Sequence, residues 1–471
     1  MTDYRTFLES KRTFKADSGF VIEPDQINPA LHQWQGDCVR YWLKRGTAAG
    51  FEECGLGKTI QQLEWAYHVA PHTKGLVLVL CPLAVGQQTL REAERFNICR
   101  NGLPIHVAKA QDDIPFTNGI VITNYEKLPK FKPERFAGVV LDESSILKSF
   151  NGKTKQSLCK AFEATQFKLA ATATPAPNDQ LELGNHSEFL GVLPSREMIS
   201  RFFINDSMNA GRYRLMGHAE RHFWEWVASW AVSLESPADL GYPDDGYVLP
   251  ELVLHEREVD VDESPSSQGL LFNNEAVNAT TIHREKRKSA AARSEVVAGL
   301  VNNSSDSWVV WCDTDYEADE LVKRIPDAVE VRGSFSDGKK IQAIDQFSLG
   351  LARVIITKPE ICGFGLNWQH CHHTAFVGVS YSFERFYQAI RRQWRFGQVN
   401  PVQCHVVNSA AEQVAWRSVR RKERDHREMK TSMAKVMLSA QMELVRGMRL
   451  KPVEYCAEQA MMLPTWLKGK A

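Results

Sequence analysis

The sequence lacks a net charge, a long apolar run and any closely paired cysteines. Its 471 residues include 57 Lys and Arg against 57 Asp and Glu, so the formal net charge is zero. A protein that binds nucleic acid through its overall charge is therefore disfavoured, although a local basic groove is compatible with this balance. No apolar run reaches the roughly 20 residues that span a bilayer, so no membrane partner is expected.

The ten cysteines are scattered along the chain, and none belongs to a C-x-x-C pair. This favours a reducing compartment, in which most cysteines are small buried side chains. The N-terminal stretch is polar and has no apolar segment of the secretory type, which predicts an intracellular, cytoplasmic protein. The cluster His-Cys-His-His at 370–373 has the chemistry of metal ligands. It leads into a predicted strand, where neighbours point to opposite faces, so its histidines are not expected to meet all together at one metal.

Short apolar runs separated by amphipathic stretches dominate two regions of the chain. Runs of strand length without strict alternation indicate strands that are buried on both faces of a parallel sheet. The predicted strands are 47–51, 76–81, 119–123, 138–141 and 167–171 in the first region and 308–312, 328–331, 353–357, 374–379 and 402–407 in the second. Two α/β bodies joined by a linker place a shared site in the cleft between them.

The remaining segments complete a predicted division of the chain, whose length suggests about three domains of roughly 150 residues. Trp and Phe in helical spacing follow the first sheet, then a turn-rich stretch, and a basic helix follows the second sheet. The predicted units are an N-terminal tail (1–27), a first lobe (28–185), a helical insertion (186–245), a linker (246–295), a second lobe (296–410) and a helical basic extension (411–471).

The strongest local signal is the segment C-G-L-G-K-T at 54–59, which lies between a predicted strand and a predicted helix. Glycines let backbone N–H groups face an anion, and a helix N-terminus favours negative charge. Lys58 would reach the β- and γ-phosphates of a nucleotide, and the Thr59 hydroxyl would ligate Mg²⁺. Glu52 stands where such loops usually have their first glycine, so this segment alone leaves a chance glycine-rich turn open.

Two carboxylates, Asp142 and Glu143, end the predicted strand 138–141. An acid at this place beside a phosphate loop can hold Mg²⁺, and its neighbour can polarise the attacking water. We therefore interpret Asp142 as the magnesium ligand and Glu143 as the catalytic base. The segment T-A-T-P at 172–175 ends another predicted strand, where its hydroxyls would sense the γ-phosphate.

Together with several other segments, these motifs fall in one order that resembles the superfamily-2 helicase-like ATPases. The resemblance is closest to the Swi/Snf-type DNA translocases of the compact bacterial or phage type, and it covers about residues 28–420. The segments are L-H-Q-W-Q at 31–35, E-C-G-L-G-K-T-I-Q at 53–61, L-C-P-L at 80–83, T-N-Y-E at 123–126, L-D-E-S-S at 141–145, A-T-A-T-P-A-P-N at 171–178, G-F-G-L-N at 363–367 and Q-A-I-R-R-Q-W-R-F-G-Q at 388–398. The chain departs from the family at Ser145, Arg391 and Trp394, positions that couple the ATP state to nucleic acid.

The resemblance implies two RecA-like parallel-sheet lobes with ATP and Mg²⁺ between them. It assigns nucleotide binding to Gln35, at the adenine edge, and to Gly55, Leu56, Gly57, Lys58 and Thr59. It assigns Mg²⁺ to Thr59 and Asp142, and catalytic roles to Lys58, Asp142, Glu143, Gln388, Arg392 and Arg395. The two arginines would reach the γ-phosphate from the second lobe and stabilise charge on the transferring phosphoryl group.

The function implied by this resemblance is that of an ATP-dependent DNA translocase or helicase, a nucleic-acid-dependent ATPase. Double-stranded DNA is the implied partner, together with a protein partner in replication, recombination or repair. Three alternatives stay open: a strand-separating helicase, an RNA-directed helicase of the same superfamily, and a nucleic-acid-binding scaffold with weak ATPase activity. A metabolic phosphate-loop kinase is disfavoured, because such an enzyme needs no second lobe with an arginine motif. The sequence leaves the oligomeric state and the direction of movement open.

Overall fold

The computed structural model describes residues 17–82, 85–205, 213–259, 279–363 and 365–446. Several sequence predictions fall partly outside these residues: most of the N-terminal tail, Leu83 and Phe364 of two motifs, part of the linker, and the end of the basic extension. Within the described residues the chain forms two larger parallel sheets covered by helices, as predicted. We call the body around the first sheet the first lobe and the body around the second sheet the second lobe.

Strands and helices alternate through both lobes. The strands are β1 (Thr47–Glu52), β2 (Leu76–Cys81), β3 (Ile105–Val107), β4 (Gly119–Asn124), β5 (Phe136–Asp142), β6 (Phe167–Ala171), β7 (Phe203–Asn205), β8 (Tyr213–Leu215), β9 (Ala231–Leu234), β10 (Leu252–Val259), β11 (Trp308–Cys312), β12 (Ala328–Val331), β13 (Val354–Thr357), β14 (His373–Val377) and β15 (Val402–Ser409). The α-helices are α1 (Gln33–Arg45), α2 (Lys58–Thr73), α3 (Gly86–Arg95), α4 (Lys153–Ala161), α5 (Leu183–Phe189), α6 (Ser195–Phe202), α7 (Glu220–Ala228), α8 (Ala279–Asn302), α9 (Asp315–Arg324), α10 (Asp337–Ser348), α11 (Pro359–Cys362), α12 (Phe383–Ile390) and α13 (Gln413–Arg446). Among the described residues, no helix is both long enough and apolar enough to cross a membrane.

The first sheet has the strand order β3-β4-β2-β5-β6-β1-β9, and its neighbours all run parallel. Alternate residues of β2 enter two different cores: Leu78 and Leu80 face one layer of helices, and Val77 and Val79 face the other. A strand that is covered on both faces is apolar at every position, which is why the continuous runs in the sequence predict it correctly. The five strands predicted in this region are confirmed.

The segment predicted as a helical insertion contains helices α5 to α7, but it also adds strands. Phe223 and Trp230 are fully buried in the core of the first lobe. After them comes β9, which pairs with β1 and forms an edge of the first sheet. Strands β7 and β8 form a separate antiparallel pair. The first sheet therefore extends beyond the boundary at residue 185 that the sequence predicts.

The second sheet has the strand order β10-β15-β14-β11-β13-β12 and is also parallel throughout. The five strands predicted in this region are confirmed. The edge strand β10 is an addition, because it lies within the range predicted as a linker. Its sequence, L-V-L-H-E-R-E-V, is rich in charged residues, as suits an edge strand that pairs with β15 alone among the described strands.

Helix α13 packs against both lobes. Trp416 and Val419 near its start are buried in the core of the second lobe. Met429, Met433 and Met437 farther along are buried in the core of the first lobe. The described part of the predicted basic extension is therefore an amphipathic helix that connects the two bodies.

Candidate active site

Two glycines shape the loop between β1 and α2. Gly55 has a φ of 94° and Gly57 a φ of 79°, both in the left-handed region. A Cβ atom at Gly55 would lie 3.0 Å from the backbone nitrogen of Phe396 in the second lobe. A larger residue at position 55 is therefore disfavoured for two reasons: the left-handed backbone conformation and the close contact between the lobes. Because the loop leads directly into the N-terminus of α2, it has the form of an anion-binding loop.

Lys58 opens α2 and turns back onto this loop. Its Nζ donates hydrogen bonds to the backbone oxygens of Glu52 (2.9 Å) and Glu53 (3.1 Å). Thr59 follows in the first turn of the helix and is partly exposed. The predicted phosphate site therefore has an ammonium group at one side and a hydroxyl group beside it.

The acidic pair lies at the end of β5, next to α2. Asp142 Oδ1 accepts a hydrogen bond of 2.9 Å from Nε2 of Gln62, and the Tyr125 hydroxyl donates to the backbone oxygen of Asp142 at 2.7 Å. Glu143 has a φ of 55°, a left-handed conformation that is strained in residues other than glycine and clusters at functional sites. Its Oε2 accepts a hydrogen bond from the Thr172 hydroxyl at 3.3 Å.

Burial changes the proton affinity of these acids. It raises the pKa of Glu143 to about 7, against a partial offset by the charges of Lys58 and Arg392. Burial also raises the pKa of Asp142, against the hydrogen bond from Gln62 and the charge of Lys58. A carboxyl group whose pKa lies near neutrality can take up and release a proton at ordinary pH, as a general base must.

Arg392 and Arg395 follow α12 and share one acceptor. Each donates a hydrogen bond of 3.1 Å from Nη1 to the backbone oxygen of Leu366. Gln388 Oε1 accepts a further hydrogen bond of 3.1 Å from Nη2 of Arg392. Burial, together with the charge of Arg392, lowers the pKa of Arg395 to about 10, so the Arg395 side chain stays charged at neutral pH. Two neighbouring guanidinium groups repel each other, and an anion placed between them would relieve this repulsion.

The predicted residues of the two lobes meet in one cleft. Lys58 of the first lobe and Arg392 of the second lobe both act electrostatically on Asp142 and Glu143. At the same cleft, the Cys54 thiol lies 3.8 Å from Oε1 of Gln388. The phosphate loop, the acidic pair and the arginine segment thus lie close together where the two lobes meet.

A further contact between the lobes centres on Glu53, which the sequence reasoning missed as a functional residue. Arg391 Nη2 lies 2.9 Å from its Oε1, and the Tyr387 hydroxyl and the Lys430 ammonium also donate to its carboxylate. Burial alone would raise the pKa of Glu53, but the charges of Arg391 and Lys430 hold it well below its usual range. Arg391 stands out in the sequence only as a departure from the family pattern, and Lys430 only as one residue of a basic helix.

Gln35 lies against the phosphate loop. Its Nε2 donates to the backbone oxygen of Leu56 at 2.8 Å, and its Oε1 accepts from the backbone nitrogen of His32 at 2.9 Å. A cavity of about 350 Å³ opens beside the start of α1, and its lining includes Asn28, His32, Gln33, Arg40 and Tyr242. The structure thus gives Gln35 a role in holding the loop, and its contact with an adenine edge stays a prediction.

Comparison with known proteins adds an independent finding. Residues 32–206 match the model of the SNF2-related domain. The DNA annealing helicase and endonuclease ZRANB3 of Mus musculus is 22% identical over 85% of this chain and 40% of its own length. The Homo sapiens protein of the same name is 22% identical over 87% of this chain and 41% of its own length. Chromodomain-helicase-DNA-binding protein 1-like of Danio rerio is 30% identical over 34% of this chain and 16% of its own length. The chain therefore spans less than half the length of these relatives.

Proposed function

Since the chain contains an SNF2-related domain and is a superfamily-2 helicase-like ATPase of the Swi/Snf type, we propose that it hydrolyses ATP to move along or remodel DNA. The observation that carries this proposal is the meeting of Lys58 and Glu143 of the first lobe with Arg392 of the second. Such a cleft offers cations on both sides of a triphosphate and a carboxyl group that can accept a proton.

The side chains around the phosphate loop fit a nucleoside triphosphate. Lys58 would exchange its two carbonyl partners for the β- and γ-phosphates. Thr59 and Asp142 are the residues that would hold Mg²⁺, which neutralises charge on the phosphate oxygens when it is bound. The base would enter the cavity lined by His32 and Gln33 at the start of α1.

Glu143 would accept the proton of the attacking water, and the Thr172 hydroxyl would orient its carboxylate. Arg392 and Arg395 would stabilise the charge that spreads over the transferring phosphoryl group. Gln388 would hold Arg392 in place. Departure of the γ-phosphate removes the anion that balances the two arginines, so hydrolysis would weaken the attraction between the lobes at this point.

We propose duplex DNA as the track and contacts to its phosphates as the main interaction, so binding would weaken with salt and depend little on sequence. The exposed side of α13 supports this, because it carries Arg417, Arg420, Arg421, Arg424 and Arg427. The compact bacterial or phage type, the cytoplasmic location and a protein partner in replication, recombination or repair stay predictions.

The test is steady-state ATP hydrolysis without nucleic acid and with single-stranded DNA, duplex DNA or RNA. We expect the strongest stimulation by duplex DNA, and we expect Lys58→Ala and Glu143→Gln to be inactive. Asp112→Asn, which changes an exposed acid of the first lobe, is the matched control and should keep wild-type activity. Strongest stimulation by RNA would favour the RNA-directed alternative. Absence of hydrolysis under all four conditions would contradict the proposal and favour the scaffold.

A further inference from the structure

Asp306, His372 and His373 form a cluster at the amino-terminal edge of the second sheet. His373 is the first residue of β14 and pairs in register with Trp308, the first residue of β11. Asp306 lies in the turn that precedes β11. Each of the three residues offers one nitrogen or oxygen atom within 4.8 Å of those of the other two. The proposed mechanism of ATP hydrolysis uses none of these side chains.

Strand alternation predicts that the histidines of 370–373 do not all meet at one metal, and His370 lies outside the cluster, but His372 and His373 lie together. Because β14 begins at His373, His372 still belongs to the preceding turn, where strand alternation does not apply. The two imidazole rings lie side by side, with their centroids 4.4 Å apart. The turn therefore brings two ring nitrogens to the same side of the sheet edge.

We propose that Asp306, His372 and His373 together bind one zinc-like divalent metal ion. The distance between Nε2 of His373 and Oδ2 of Asp306 is 3.3 Å. Two ligands that each lie about 2.0–2.2 Å from a tetrahedral zinc ion stand roughly 3.4 Å apart, so this pair already has the required spacing. Two imidazoles and one carboxylate form a ligand set that suits zinc better than Mg²⁺ or Ca²⁺, which prefer oxygen ligands alone.

The cluster is accessible to solvent, and one of its ligands is already held in a fixed orientation. The side chain of His373 is 19% exposed and that of Asp306 is 51% exposed, so an ion can enter without any opening of the fold. The indole ring of Trp308 stacks on His373 with a centroid distance of 4.8 Å and fixes the plane of this ligand. Three protein ligands leave a fourth position for water.

The turn that carries the two histidines is also hydrogen-bonded to the arginine segment. Gln393 Nε2 donates to the backbone oxygen of His373 at 2.9 Å. Gln398 Nε2 donates to the backbone oxygens of Gln369 at 3.0 Å and Cys371 at 3.1 Å. A metal ion at the cluster would tie the turn before β11 to this same stretch, and would thereby stiffen the support of Arg392.

The test uses the full chain after removal of metals with a chelator, in buffer with excess Mg²⁺ to saturate oxygen-rich sites. Zn²⁺ is titrated calorimetrically, and Co²⁺ is added as a probe, because its visible absorption reports tetrahedral coordination. We expect one zinc-binding event in the wild type. Asp306→Asn and His372→Ala should each lower the zinc affinity at least tenfold. Even substitution of a residue that only hydrogen-bonds to a metal ligand costs about 10–100-fold in metal affinity.

His370→Ala is the matched control, because His370 belongs to the same turn but lies outside the cluster. It should bind zinc like the wild type. Zinc should also raise the melting temperature of the wild type, and at the same zinc concentration it should raise that of Asp306→Asn clearly less. Asp306→Asn keeps the size of the side chain, so the comparison remains decisive if His372→Ala folds poorly. Equal zinc affinities of the wild type and Asp306→Asn, or no zinc binding by the wild type at micromolar concentrations, would overturn the proposal.

Discussion

Arg391 of the second lobe forms an ion pair of 2.9 Å with Glu53 of the first lobe. Lys430 of helix α13 donates to the same carboxylate. Glu53 directly precedes the phosphate loop, and Arg391 directly precedes Arg392. One carboxylate therefore joins the predicted ATP site, the arginine segment and the helix that packs against both lobes.

Replacement of Glu53 by Gln should loosen the contact between the lobes. It leaves the charges of Arg391 and Lys430 unbalanced in a largely buried place, and loss of one partner from a buried ion pair costs about 3–5 kcal/mol. We expect a lower melting temperature and faster proteolysis at pH 7. The lowered pKa of Glu53 means that its stabilisation is present at neutral pH and is lost as the pH falls through that lowered value, so the variant and the wild type should converge in acid. Glu134→Gln, at an exposed position, is the control, and a wild-type melting temperature for Glu53→Gln at pH 7 would contradict the prediction.

The rate of ATP hydrolysis should rise with pH through about 7, the value to which burial raises the pKa of Glu143. Only the ionised carboxylate can accept a proton from water. Glu143→Gln should lower kcat by about 10²–10⁴ and remove this rise. The measurement is kcat/KM for ATP between pH 5.5 and pH 9, because this ratio reports the pKa of the free enzyme, and a wild-type profile without a rise between pH 6 and pH 8 would rule out this role.

The same substitution should stabilise the fold at neutral and alkaline pH. The pKa of Glu143 is higher in the folded chain than its ordinary value of 4.5, so the unfolded chain releases this proton first. The free energy of unfolding therefore falls as the pH rises from about 4.5 to about 7, and the glutamine variant escapes this loss. Thermal unfolding should show a higher melting temperature for Glu143→Gln than for the wild type at pH 8 and a smaller difference at pH 5. The opposite order at pH 8 would show that another interaction of Glu143 dominates.

Arg392→Ala should lower single-turnover hydrolysis about 10³-fold or more, while a fluorescent ATP analogue still binds with an affinity within severalfold of the wild type. Gln388→Ala should lower kcat less and leave KM unchanged, because Gln388 positions Arg392 through one hydrogen bond. Arg385 is the control: it lies in α12, which ends just before Arg392, but it pairs with Glu360 at 2.6 Å. If Arg385→Ala and Arg392→Ala had equal effects, the loss would reflect damage to the helix and not a role at the phosphoryl group.

Met433→Ala should destabilise the packing of α13 on the first lobe. Met433 is 1% exposed there, and truncation of a buried methionine costs about 2–5 kcal/mol. Leu438, on the same helix, is 41% exposed, so Leu438→Ala should change the free energy of unfolding by no more than about 0.5 kcal/mol. Chemical denaturation of both variants checks the difference. Equal stability of the two would mean that α13 contributes little to holding the first lobe.

The sequence predicts the interior of both sheets because strands covered on two faces must be apolar throughout. Of the four edge strands it predicts β12, but it misses β3, β9 and β10. Strand β10 carries charged residues because one of its sides has no neighbouring strand, and β3 is only partly buried and spans three residues. Strand β9 is buried but has four residues, which is too few to show a period.

The predicted site residues converge because each belongs to a motif of known order along the chain. The residues that hold these site residues in place belong to no motif that can be recognised in the sequence. Gln62 lies one helical turn beyond Lys58 in α2, yet its bond to Asp142 exists only once β5 lies beside that helix. Lys430 and Glu53 are even farther apart along the chain, and only the path of α13 across both lobes brings them together. Sequence motifs therefore predict the residues that would carry the chemistry of this site. The residues that support them can be identified only from tertiary contacts.

Helix α13 is a continuous helix that is anchored in the cores of both lobes, which fixes the distance between its two anchoring points. From Trp416 to Met437 it rises about 1.5 Å per residue, so the two anchoring points are held roughly 30 Å apart along its axis. A rotation of one sheet against the other would have to bend α13 or remove Met429, Met433 and Met437 from the core of the first lobe. Opening of the cleft would therefore be opposed by the apolar packing of α13 on the two lobes, at a distance from the predicted phosphate site.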